Sequence, residues 1–367
     1  MTGLLPEGIR DRLPPVADAA ARLETALLAT AASYGYERVD PPLAEFEDAL
    51  AGRLKAARPQ DAVRFVDPVS QRTLAIRPDI TAQVGRIAAT RMGHHPRPVR
   101  LSYAGSVLKL RASQLRPERA MRQIGCELIG RDSVAAATEI VTVAAEALAG
   151  AGVAGLSIDL TLPDLVETLA AGPLAVMPEQ LTRLRERLDA KDAGGVAAID
   201  ARYLPLIEAA GPFAPALARL RAFDPSGVLR SRLDGLAAIA AALNPGLRLT
   251  LDPTERHGFE YQSWIGFSLF AEGLTGEIGR GGSYAVMHDG GAEEPGVGFS
   301  LYLDALVDAG LRPLERRRLF LPLGTPPAAA TALRREGWVA VAALDEDDSA
   351  AAQLCTHVLA HGEVRPA

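Results

Sequence analysis

Three short stretches carry side chains that could hold a small ligand bearing both charges. In 121-MRQIGCELIG-130, strand alternation puts Gln123, Gly125 and Glu127 on one face and turns Ile124, Cys126 and Leu128 toward a core. The amide and the carboxylate then stand ~13 Å apart along the strand, with a bare glycine between them. Such a floor suits a small zwitterion, and it equally suits a half-exposed sheet face with ordinary polar residues. In 77-RPDITAQ-83, Asp79 or Thr81 could cap a helix that starts there. A carboxylate beside a hydroxyl is also what a bound α-ammonium group requires. In 256-RHGFEYQSWIGFSLF-270, Glu260, Tyr261 and Trp264 mark the start of a strand. A phenol near a carboxylate can address an imidazole edge, which both donates and accepts, although an amphipathic strand with aromatic core residues looks the same. His257 fits a hydrogen-bonded structural role better than a catalytic one.

Phosphate chemistry is less well provided for. Gly296 and Gly298 in 294-EPGVGFSLYLDAL-306 allow close backbone approach ahead of an apolar run that could be helical, yet no Lys or Arg occurs from Gly281 to Leu311. The loop 109-KLRASQLRPER-119 holds four cations. An anion gripped there would find no cation on a facing 294–306 wall.

The surrounding elements must position these groups. The run 16-VADAAARLETALLATAASYGY-36 reads as a helix ending near Gly35, and 37-ERVDPPLAEFEDAL-50 as a strand stopped by Pro41 and Pro42 before a short helix. Asp67 and Pro68 make 63–76 a hairpin, and a helix starts near Asp79. Strands are expected at 99–110 and 121–130, a helix over 132–152 capped by Asp132 or Ser133, and a strand at 155–162. From 164 to 245 the pattern is helical only, as in an inserted block. Strands resume at 247–255, 258–273 and 276–287, and the tail from Arg317 reads β-α-β with a further α-β after it. Consecutive strands joined by hairpins and flanked by helices predict an α+β domain with a mostly antiparallel sheet. The expected divisions are 1–163 and 246–316 for the two parts of one core, 164–245 for the helical insertion and 317–367 for a small α/β tail.

The chain has 367 residues, 48% of them hydrophobic, and a net charge of −6. An acidic total opposes a role in gripping a polyanion, since Lys and Arg drive that binding, so tRNA is not an expected partner. The two cysteines, Cys126 and Cys355, are too few for a disulfide framework or a zinc site and read as reduced thiols, so no metal is expected. No cofactor is expected either. No basic and apolar leader opens the sequence and no run spans a membrane, which predicts a cytoplasmic protein.

From the N-terminus to about residue 310, the order of these pieces resembles histidyl-tRNA synthetase, a class II aminoacyl-tRNA synthetase. GYERVDPP is similar to class II motif 1, RPDIT to the family's R-P-E-G-T, and Lys109 through Glu127 to motif 2 with the histidine-specific Q-I-G-x-E. HGFEYQS stands where the family has R-G-L-D-Y-Y, GGSY where it has G-G-R-Y, and EPGVGFSLYLDAL where motif 3 belongs. The resemblance implies a histidine pocket from Asp79, Thr81, Gln123, Glu127, Tyr261 and Tyr284, with Gln262 in place of a second tyrosine. It also implies that the triphosphate grips are degenerate. Lys109 replaces the motif 2 arginine, His257 the activating arginine and Ala305 the motif 3 arginine. Charge developing on an α-phosphate must be met by preorganised cations, and losing one costs ~10²–10³ in rate.

A histidine pocket on a body unable to activate the amino acid resembles the synthetase paralogue of histidine biosynthesis, the ATP phosphoribosyltransferase regulatory subunit family; GFEYQSWIGFSLFAEG and GEIGRGGSYA fit it closely. That resemblance implies a non-catalytic chain that joins a short-form ATP phosphoribosyltransferase catalytic subunit. It further implies a homodimer inside a hetero-oligomer and feedback inhibition with histidine as effector. The alternative is an active histidyl-tRNA synthetase-like enzyme.

Overall fold

The structure is a computed structural model that describes residues 4–50, 54, 62–111, 117–224, 226–256, 262–311 and 317–367. The chain divides into two compact units, Met1–Arg312 and Pro313–Ala367.

In the larger unit, helix α1 (Val16–Ser33) precedes the short strand β1 (Glu37–Arg38). A three-stranded sheet follows from β2 (Ala44–Phe46), β3 (Val63–Val66) and β4 (Thr73–Ile76), with helix α2 (Glu47–Leu50) after the first strand. The β3–β4 hairpin forms where Asp67 and Pro68 predict it, and the Asp67 carboxylate accepts the backbone N–H of Val69 and Ser70 in the turn. Helix α3 (Thr81–Thr90) leads into the long hairpin of β5 (Val99–Leu108) and β6 (Ala120–Ile129). Helix α4 (Val134–Gly150) is capped by Ser133, whose hydroxyl accepts from Ala136 N, and is followed by β7 (Ser157–Thr161).

The block after β7 carries α5 (Leu165–Ala170), α6 (Pro178–Asp189), α7 (Ala193–Asp200), α8 (Leu204–Glu208), α9 (Phe213–Phe223) and α10 (Arg230–Ala242). It is not helical throughout. Strand β8 (Gly211–Pro212) sits between α8 and α9 and pairs with the edge of β9 (Arg248–Leu251). A proline after a glycine cannot continue the preceding helix, so the chain there runs extended along an open strand edge.

Three long strands, β10 (Gln262–Phe270), β11 (Gly279–Met287) and β12 (Glu293–Tyr302), complete a nine-stranded sheet in the order β1-β5-β6-β12-β11-β10-β7-β9-β8. Its pairs are antiparallel except β1–β5 and β7–β9, as expected for the α+β class. The 294–306 stretch is therefore mostly strand; only α11 (Leu303–Asp308) at its end is helical. The main core lies between this sheet and helices α1, α4 and α10. Leu23, Leu27 and Ala31 supply the buried stripe of α1, and Ile140, Val141, Ala144 and Leu148 that of α4. A second apolar cluster on the other face gathers Ile80, Val84, Leu101 and Tyr103 beneath α3.

The smaller unit is a four-stranded sheet in the order β14-β13-β15-β16, from β13 (Arg318–Leu321), α12 (Pro327–Arg335), β14 (Val339–Ala342), β15 (His357–Ala360) and β16 (Glu363–Pro366). The β-α-β reading of the tail holds, but the second helix does not form. In 344–354 the side chains of Asp348, Asp345 and Ser349 accept the N–H groups of Leu344, Asp347 and Ala352, which closes turns in its place. No helix among the described residues is long and apolar enough to cross a membrane. Cys126 and Cys355 are buried free thiols.

Candidate functional site

The expected floor at Gln123, Gly125 and Glu127 does share one face of β6, but it is neither open nor half-exposed. Gln123 and Glu127 are 0% and 1% exposed. The volume above Gly125 is filled from the neighbouring strand. Tyr103 pairs with Gly125 across β5 and β6, and a Cβ at 125 would collide with the Tyr103 hydroxyl and with Phe299 O. That hydroxyl donates to Glu127 Oε1 at 3.1 Å and lies 2.9 Å from Ser300 Oγ and 3.2 Å from Thr81 Oγ1. Tyr284 on β11 donates to the other carboxyl oxygen, Glu127 Oε2, at 2.6 Å.

Gln123 connects this group to the start of α3. Its Oε1 accepts from Ile80 N at 3.0 Å, and its Nε2 donates to Asp79 Oδ2 and to Ser300 Oγ, each at 2.7 Å. The other oxygen of Asp79 accepts Thr81 N at 2.7 Å. The helix has Ile80 at its N-cap and no side-chain cap, so neither Asp79 nor Thr81 caps it; Asp79 turns the chain into the helix with one oxygen and meets Gln123 with the other.

These groups face a cavity of about 310 Å³, counted out to its mouth. Asp79, Thr81, Glu127 and Tyr284 line it, while Gln123 stands behind and supports Asp79. Tyr261 and His257, together with Glu260, lie outside the described residues. Burial pushes the Glu127 carboxyl up to about 8, and nearby Asp79 adds to the rise while the tyrosine hydrogen bonds oppose it. Burial also holds the Tyr103 phenol well above its ordinary range. At neutral pH Glu127 thus keeps its proton and can both donate and accept, which matches an imidazole edge.

The two glycines of 294–306 make room for side chains. Gly298 pairs with Glu127 across β6 and β12, and the carboxylate lies where a Cβ would be. The ring of Tyr284 lies 3.0 Å from the Cβ position of Gly296. Of the positions expected to have lost triphosphate grips, Ala305 packs against the main core from α11. Lys109 bridges to Ala62, with its ammonium 5.9 Å from the ring centroid of Tyr302.

The cavity also holds residues that the sequence did not single out, Tyr302, Ser300 and Arg280, together with Gln262, which the resemblance puts in place of a second tyrosine. Gln262 Oε1 is buried without a hydrogen-bond partner among the described residues. Arg280 is fixed by Glu277, with Nε to Oε1 at 2.8 Å and Nη2 to Oε2 at 2.6 Å. The signal for Tyr103 was the glycine opposite it, visible only once the β5–β6 register is known. Among the described residues, no group of His, Cys, Asp or Glu side chains gathers to hold a metal.

A sheet of this order, carrying a polar cavity between β6, β11, β12 and the start of α3, defines the class II histidyl-tRNA synthetase fold. The family profile described as "Histidyl-tRNA synthetase" matches residues 8–306. An ATP phosphoribosyltransferase regulatory subunit/histidyl-tRNA synthetase from Bacillus halodurans superposes with a TM-score of 0.80 over 96% of each chain at 21% identity. A chain of the ATP phosphoribosyl transferase complex from Thermotoga maritima superposes with a TM-score of 0.61 at 19% identity, over 78% of this chain and 97% of that one. The ATP phosphoribosyltransferase regulatory subunit of Rhodospirillum centenum is 45% identical over 99% of this chain and 96% of its own length. The chain belongs to the ATP phosphoribosyltransferase regulatory subunit family.

Proposed function

We propose that this chain is the non-catalytic regulatory subunit of an ATP phosphoribosyltransferase and binds histidine in the cavity between Asp79 and Glu127. It joins a short catalytic subunit for the first step of histidine biosynthesis, supports turnover there and conveys feedback inhibition by histidine. The observation that carries the reading is the pairing of a polar cavity lined by Asp79, Thr81, Glu127 and Tyr284 with degenerate phosphate positions. Tyr103 and Tyr284 hold a proton-bearing Glu127 at one end and Gln123 presents Asp79 at the other. Meanwhile Ala305 and Lys109 stand where the synthetase resemblance calls for arginines. In this reading Thr81 completes the ammonium site, and Tyr261 adds a second contact to the imidazole. The chain works as a homodimer within the hetero-oligomer, in the cytoplasm, without tRNA.

Histidine acts in this scheme only if it binds one arrangement of the complex more tightly than another. The decisive experiment adds the chain to a short phosphoribosyltransferase catalytic subunit and measures turnover with and without histidine. Activation by the chain, and inhibition by histidine that Glu127→Ala relieves, are expected. Turnover that ignores the chain overturns the assignment.

A further inference from the structure

Among the described residues, the cavity has one cationic side chain on its wall, Arg280. Sheet register fixes where it stands. Arg280 pairs with Ser300 on β12 and with Ser268 on β10, so its root lies beside the serine that receives Gln123. Glu127 lies over Gly298, two positions along β12 from Ser300. The root of Arg280 and the Glu127 carboxyl are thus separated by about one strand spacing, ~4.8 Å, and about two residues, ~6.8 Å, along the strand. Asp79 and Glu127 offer a carboxylate and a carboxyl to the ligand, and Arg280 is the complementary charge. Glu277 grips its Nε–Nη2 edge, and Ser268 Oγ donates to Glu277 at 3.1 Å, so the planar guanidinium is held in a set orientation.

We propose that Arg280 recognises the α-carboxylate of the effector, so that the cavity selects an amino acid over the corresponding amine. This rests on the reading that histidine occupies the space between Asp79 and Glu127. Arg280 takes over a task for which the 294–306 wall supplies no cation, and it belongs to β11, the strand that also carries Tyr284. One strand therefore contributes both to the imidazole end of the site and to the carboxylate end.

The test is calorimetric titration of the full chain with L-histidine and with histamine, which keeps the imidazole and the ammonium and lacks the carboxylate. The native chain is expected to prefer histidine by about ten- to a hundredfold, the range of a charged hydrogen bond. Arg280→Gln should erase that preference by weakening histidine alone. Glu277→Gln keeps an amide oxygen to accept from the guanidinium edge and removes the competing negative charge, so it should keep the preference or widen it, which covers the case of an Arg280 variant that fails to fold. A folded Arg280→Gln chain that still discriminates, or a Glu277→Gln chain that does not, overturns the proposal while the pocket reading stands. If Asp79→Asn and Glu127→Gln leave histidine binding unchanged, the ligand lies elsewhere, and the pocket reading and the role of Arg280 fall together.

Discussion

Tyr103 faces Gly125 across the β5–β6 pair, and its hydroxyl takes the space that a side chain at 125 would need while it hydrogen-bonds Glu127 and Ser300. Gly125→Ala must therefore push the phenol off Glu127. The expected loss is about 1–3 kcal/mol, from overpacking and a broken buried hydrogen bond. Gly150→Ala is the control. It lies at the end of α4, where the nearest atom to a new Cβ is Thr30 Oγ1 at 3.9 Å, and it should be neutral or gain up to ~1 kcal/mol. Denaturant titrations that give equal midpoints for both variants would contradict this packing.

The raised Glu127 gives stability a definite pH dependence. Its folded value of about 8 lies above the unfolded carboxyl, so the folded chain holds an extra proton between about pH 4.5 and 8. Its contribution is complete below about pH 4.5 and is lost as pH rises through 8. Glu255, raised to about 7 mainly by burial, contributes with the same sign over a narrower window. Glu127→Gln mimics the protonated acid and should flatten the fall between pH 6 and 8. A melting-temperature series for native and variant chains checks it, and parallel curves would sink the idea.

Histidine should protect the native chain or its complex against heat. At a hundredfold excess over Kd, linkage predicts a rise in Tm of about 3–4 °C. Glu127→Ala should remove most of that rise, because the imidazole then meets no proton-bearing partner. An undiminished shift in the variant would place histidine outside this cavity.

The isolated chain is expected to show no histidine-dependent ATP–pyrophosphate exchange. Ala305 packs against the core and carries no charge, and Lys109 offers a point charge instead of a planar fork. Exchange at a rate comparable to that of a working synthetase would restore the enzyme reading.

Local patterns made most of the fold legible. Alternation in 121-MRQIGCELIG-130 and the turn at Asp67 placed β6 and the β3–β4 hairpin to within a residue or two, and Ser133 marked the start of α4. The tail helix failed because its acidic and serine side chains bind nearby N–H groups more readily than a helix would let them. Asp79, Thr81, Glu127 and Tyr284 were recognisable because their types and order follow a family pattern. Tyr103, Ser300 and Arg280 were not, since their roles depend on the register of β6, β12 and β11. Those strands pair across stretches of chain that no local window contains. Gly298 does line the cavity, but for the same reason no local window showed that it also leaves the space Glu127 needs.

The adjacency of β6 and β12 also has a bearing on biosynthesis. On the ribosome, β6 can zip onto β5 as soon as both have emerged, but the strand that covers its other edge begins only at Glu293. Throughout the translation of the helical block, a ten-residue strand keeps one unsatisfied edge open to chance partners. The nascent chain is thus most in need of chaperone cover in that interval.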